Sequence, residues 1–157
     1  MSKTVKAVVS QQFAASAERV FEAWLDPAWI GRWMFGPGIR DEQVVRLAVE
    51  PRVGGKFSFV VDRQGVEIDH VGEYLELDRP RLLVFTWGTR DSLPNTSRVV
   101  VELLPNDRGC ELTLTHVMNA DWATFVDKAA GSWRKMLEAL AGTLPEAIPL
   151  TLNPNSP

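Results

Sequence analysis

Hydrophobic and polar positions alternate along most of this chain, and helical spacing appears near the start and at the end. Thr4 to Phe13 (TVKAVVSQQF) alternates and is rich in β-branched residues, which predicts a strand with Val5, Ala7 and Val9 on one face. Ser16 then precedes AERVFEAWL, where Val20, Phe21, Trp24 and Leu25 recur at helical spacing behind a good N-cap. Pro27 ends that helix and opens a second short one to Trp33, with Asp26 as its N-cap. Gly36-Pro37-Gly38 is a loop, since neither residue type holds a helix interior.

From Val44 the period becomes two. Strands are expected over Val44–Val49, Lys56–Val61, Glu67–Leu77, Leu82–Trp87, Ser97–Leu104 and Cys110–Val117, separated by turns rich in Gly, Asn and Asp. Gly54-Gly55 suits a tight hairpin turn, and Gly88 to Thr96 reads as a polar loop. Ile68, His70, Gly72 and Tyr74 share one face, with Asp69, Val71, Glu73 and Leu75 on the other. Phe125, Ala129, Trp133, Met136, Leu137, Leu140 and Leu144 then form one helical stripe that ends before Pro145. Seven antiparallel strands with one long amphipathic helix predict an α+β helix grip: a curved sheet wrapped around the C-terminal helix, closed at one end by two short helices.

Composition narrows the function classes. At 157 residues and 45% hydrophobic, the chain is long enough for one domain, expected over residues 1–145 and followed by a Pro-rich tail at 146–157. A formal net charge of −3, with Arg32, Arg40, Arg46 and Arg52 dispersed, argues against a nucleic-acid partner. No apolar run reaches the ~18–20 residues of a membrane span, and Met1-Ser-Lys-Thr-Val shows no signal-peptide core, so a soluble cytoplasmic domain is expected. Cys110, the lone cysteine, is expected to be a small buried hydrophobe. Glu67, Asp69, Glu73 and Glu76 read as a solvated sheet face, and neither a metal nor a cofactor is expected.

Five motifs, in order, carry a family resemblance: AERVFEAWLDPAWIGRWMFGPG (Ala17–Gly38), EPRVGGKFSF (Glu50–Phe59), GEYLELDRPRLLVFTW (Gly72–Trp87), GCELTLTH (Gly109–His116) and GSWRKMLEAL (Gly131–Leu140). Together they resemble the heat-shock protein 90 ATPase activator homologue-like family, within the START-like (SRPBCC, Bet v 1-like) helix-grip superfamily. WMFGPG, Trp33 to Gly38, is longer than the usual W-W-x-P of that family and implies a reshaped cavity mouth. The resemblance implies an apolar cavity between sheet and helix, of a kind that holds lipids, polyketides or steroids in relatives.

Alternation places the inward candidates for that cavity. From the strands they are Phe57, Phe59, His70, Tyr74, Phe85, Trp87, Leu114 and His116; from the helices, Trp33, Phe125, Ala129 and Trp133. A core filled by these side chains is the competing reading. Small Gly72 and Ala129 among large neighbours favour open volume. The first functional expectation is binding of a small hydrophobic ligand, its polar end fixed by His70, Tyr74 or His116. The second is a cyclase- or hydrolase-like enzyme with His70 or His116 as the base. The third is a chaperone-associated interaction module, with Trp29, Trp33, Met34 and Phe35 exposed as its footprint or as a homodimer surface.

Overall fold

The computed structural model describes residues 3–144; the tail expected at 146–157 lies outside them. β1 (Thr4–Phe13) begins as the alternation requires, burying Ala7 and Val9. At α1 (Ala17–Ala23) the Ser16 hydroxyl accepts the Arg19 N–H at 3.2 Å, and at α2 (Pro27–Trp33) the Asp26 carboxylate accepts the Ala28 N–H at 2.9 Å. Both caps satisfy backbone donors that a short helix cannot pair internally.

Six more strands follow: β2 (Gln43–Val49), β3 (Lys56–Arg63), β4 (Val66–Asp78), β5 (Leu82–Thr89), β6 (Ser97–Asn106) and β7 (Gly109–Asn119). They form one antiparallel sheet in the order β1-β7-β6-β5-β4-β3-β2. Several run further than the alternation alone suggests. Pro105 and Asn106 pair with Cys110 and Gly109, so the β6–β7 hairpin closes on a two-residue turn. Gly88 and Thr89 pair with Val71 and His70, which shortens the expected loop to a 3₁₀ turn at Arg90–Ser92 and its flanks. The register shifts between Tyr74 and Glu76. A bulge there bends the longest strand, as a sheet curling round a helix needs.

α3 (Val126–Thr143) follows a 3₁₀ segment, Ala120–Phe125, and buries Ala129, Trp133, Met136, Leu137 and Leu140. Trp133, Met136, Leu137 and Leu140 share one core with the inward residues of β3 to β7 and with α1 and α2. Ala129 packs with Ala7 and Met118 in an adjoining smaller cluster. The helix grip is therefore present: seven antiparallel strands, a long C-terminal helix and two short helices at one end.

Two expectations need correction. Trp33, Met34 and Phe35 are not an exposed footprint: they are 0%, 2% and 2% exposed, and only Trp29 reaches the surface. α2 is the plug at the end of the core, so its apolar face turns inward. The Trp33 indole N–H donates to the Ala23 carbonyl at 3.0 Å and ties α2 to α1. Gly72 does not mark open volume either. A Cβ there would sit 2.0 Å from the Thr86 carbonyl and 2.4 Å from the Phe57 ring, so glycine lets that ring lie flat on the strand.

Gly72→Ala is accordingly expected to destabilise the fold by about 2–3 kcal/mol or more. Equilibrium urea unfolding against the unsubstituted protein measures this; an unchanged midpoint contradicts the packing described.

Candidate functional site

Between the sheet and the N-terminal half of α3 lies a pocket of about 230 Å³. β4, β5 and β7 supply His70, Trp87 and His116. α3 supplies Ala129, Ser132, Trp133 and Met136, and Phe125, just before α3, also lines it. The loop after α2 supplies Phe35 and Arg40, and the end of β3 supplies Arg63. Six of the twelve sequence-derived candidates thus meet here: His70, Trp87, His116, Phe125, Ala129 and Trp133. Phe57, Phe59, Tyr74 and Phe85 instead surround a separate void of about 10 Å³, shared with Trp24, Met34 and Trp87. That is about room for one water. Trp33 and Leu114 are fully buried and line neither space.

The division follows from ring packing. Phe57 stacks on Phe59 at 4.6 Å and meets Tyr74 and Phe85 at 5.5 and 5.7 Å. Such aromatic contacts close the middle of the sheet. Trp133 completes the wall, 5.4 Å from Trp87 and 6.1 Å from Trp24. The Trp24 indole N–H is buried there without a hydrogen-bond partner among the described residues.

The two histidines are held in opposite tautomers. The Trp133 indole N–H, which can only donate, points at His116 Nδ1 at 3.1 Å. Nδ1 must therefore accept, and the proton sits on Nε2, which donates to the Ser97 hydroxyl at 2.7 Å. The Ser97 hydroxyl in turn donates to the Trp87 carbonyl at 3.1 Å. His116 is neutral, its pKa pushed down to about 4 by burial. A Ser97–His116 nucleophile pair would need Nε2 to accept, and Trp133 forbids that tautomer. His70 is the reverse case. Its Nδ1–H donates to the Phe59 carbonyl at 3.1 Å, leaving the Nε2 lone pair unpartnered among the described residues. Burial lowers its pKa, only partly opposed by the Phe59 hydrogen bond. Neither ring is hydrogen-bonded to a carboxylate; Asp69 lies on the opposite face, paired with Ser58 and Arg90. Tyr74, expected as a polar anchor, sits beside the smaller void, its phenol pKa raised by burial.

Sequence reasoning missed the charged end of the pocket. Glu42 is fully buried and accepts four hydrogen bonds: from Gly36 N–H at 2.9 Å, Arg40 Nη1 at 3.2 Å, and Arg63 Nε and Nη2 at 3.0 and 2.8 Å. Arg40 Nη1 also reaches the Met34 carbonyl at 3.0 Å. Arg63 was legible in principle, because it continues the inward series Phe57, Phe59, Val61 on β3. Glu42 carries no such signal; its place depends on the loop that starts at Gly36, where φ is +111°. Phe35, from the WMFGPG segment, packs against His70 at 4.7 Å and lines the pocket. Among the described residues no three His, Cys, Asp or Glu side chains gather to hold a metal ion. No helix among them is long and apolar enough to cross a membrane.

Residues 14–145 match the family described as Activator of Hsp90 ATPase homolog 1-like protein. No match is found among curated proteins. Solved structures share the fold. A Chromobacterium violaceum protein is 25% identical, with a TM-score of 0.73 over 88% of this chain and 94% of its own. A Mycobacterium smegmatis protein is 18% identical, with a TM-score of 0.75 over 95% of this chain and 98% of its own. A Staphylococcus aureus protein, described as of unknown function, is 16% identical, with a TM-score of 0.75 over 88% of this chain and 92% of its own.

Two measurements test the histidine geometry. Side-chain ¹⁵N spectra at pH 7.5 are expected to show the Nε2–H tautomer for His116 and Nδ1–H for His70. The depressed His116 pKa also links to stability. The unfolded chain binds this proton below about 6.5 and the folded chain only near 4, so stability is full above 6.5 and declines as pH falls toward 4. His116→Gln can still accept from Trp133 and donate to Ser97 without titrating. It is expected to flatten that decline in urea unfolding; an identical acid limb contradicts the assignment.

Proposed function

We propose that this chain, which belongs to the Activator of Hsp90 ATPase homolog 1-like family and so to the START-like superfamily, binds one small, largely apolar organic molecule between its sheet and α3. The observation that carries this reading is the pocket of about 230 Å³ walled by Phe35, Trp87, Phe125, Trp133 and Met136, with His70, whose Nε2 is an unpartnered acceptor among the described residues, in its lining. Apolar walls with few convergent polar groups suit a ligand site. Its volume falls below the ~300–1,000 Å³ usual for drug-sized ligands. The occupant is therefore a one- or two-ring molecule rather than a steroid or a long lipid. Of the three polar anchors expected from the sequence, His70 alone keeps a free nitrogen, so it accepts an O–H or N–H of the ligand.

The enzyme reading draws no comparable support, because His116 is tied at both nitrogens and His70 has no carboxylate behind it. The interaction-module reading loses the footprint it relied on, since Trp33, Met34 and Phe35 are buried.

2-Naphthol is a suitable neutral probe, with fluorescence of Trp87 and Trp133 as the reporter. Saturable one-to-one quenching is expected. Ser132→Phe, at the exposed mouth on α3, is expected to weaken it by at least about tenfold, or about 1.4 kcal/mol. Absent quenching, or equal affinity in the variant, overturns the reading. Native mass spectrometry of freshly purified protein, retaining a compound of this size, would supply the natural ligand.

A further inference from the structure

The ionisable groups around the pocket are unbalanced. Its lining holds two arginines, two histidines and no acidic side chain. The one carboxylate that offsets them, Glu42, lies behind the arginines with its side chain 0% exposed, while those of Arg40 and Arg63 are 25% and 35% exposed. Glu42 takes up Nε and Nη2 of Arg63 and Nη1 of Arg40. That leaves Nη1 of Arg63 and Nη2 of Arg40 unpartnered among the described residues. Glu42 therefore acts as a splint that fixes two guanidiniums, with a local surplus of one positive charge. Arg63, Glu42 and Arg40 are close enough to act electrostatically on His70, which lines the same space. At the far rim Lys128 lies over the Phe125 ring at 6.0 Å and adds no negative charge.

The geometry points to a monoanionic head group on the ligand: a small aromatic carboxylate, its carboxyl group on Arg40 and Arg63 and its ring against the pocket faces of Phe35, Trp87 and Trp133. Planar guanidiniums with fixed N–H forks match carboxylate oxygens, and charge-assisted bonds there are stronger than neutral ones. A surplus of one charge matches a carboxylate better than a phosphate monoester, which carries about −1.5 to −2 at neutral pH. This inference rests on the pocket being a ligand site, as proposed above.

The test compares 2-naphthoate, the neutral isostere 2-naphthamide and 2-naphthyl phosphate by isothermal titration at low ionic strength. Naphthoate is expected to bind at least about tenfold more tightly than naphthamide. Arg63→Gln is expected to erase that preference. Because Arg63 also holds a buried carboxylate, a fold-neutral pair at the exposed mouth supplies a second reading. Ser132→Glu should weaken naphthoate severalfold relative to Ser132→Gln, whereas the two variants should bind naphthamide equally. Naphthamide binding as tightly as naphthoate overturns the anion assignment and leaves the pocket reading standing. Tighter binding of naphthyl phosphate overturns the carboxylate class. No binding of any of the three overturns the assignment and the pocket reading together.

Discussion

One hydrogen bond organises this molecule: the donation from the Trp133 indole N–H to His116 Nδ1. It joins the middle of α3 to the inner face of β7, and its geometry allows one tautomer of the histidine. An indole is too large to be accommodated casually in a core, and its N–H needs an acceptor once water is gone. His116 meets that need and in turn draws in Ser97 and the Trp87 carbonyl. The helix is thereby set at a fixed height above the sheet. On one side of the indole the core is solid, through Trp24, Phe85 and Phe57; on the other a space stays open. The same bond that builds the pocket wall removes His116 from acid–base work.

The open space is bounded at its other end by a different kind of constraint. A fully buried carboxylate is costly unless its oxygens are saturated with donors. Glu42 is saturated by Gly36 and two arginines, which closes the loop after α2 onto the end of β3. That loop carries Phe35 over His70. Apolar wall and charged mouth are thus products of one local arrangement, and the pocket combines a ring-sized apolar interior with a cationic edge.

Much of the architecture was legible because period-two and helical spacing report burial directly. The faces Val99–Val101–Leu103 and Leu112–Leu114–His116 are both buried as alternation implies. Half of the candidate site was legible for the same reason. What was not legible depends on contacts distant in sequence. Facing inward does not say whether a side chain meets space or another ring, so Phe57, Phe59, Tyr74 and Phe85 could not be told from Trp87 and His70. Gly72 looked like a gap because its filling ring comes from the neighbouring strand. Trp33 stood both among the inward candidates and in the expected surface footprint, because a seven-residue helix has too little periodicity to declare its buried side. Arg63 stood in an inward series and was passed over because a charged residue at a strand end is read as the start of a turn.

The central claim is that the space bordered by Trp133 receives a ligand while the core behind it does not. Side-chain indole ¹H–¹⁵N spectra report on all six tryptophans at once. Titration with a small aromatic acid is predicted to shift the Trp133 and Trp87 signals together and leave buried Trp33, half-buried Trp29 and exposed Trp122 in place. Shifts confined to Trp29 or Trp122, with Trp133 unmoved, would place the ligand on the surface and contradict the account.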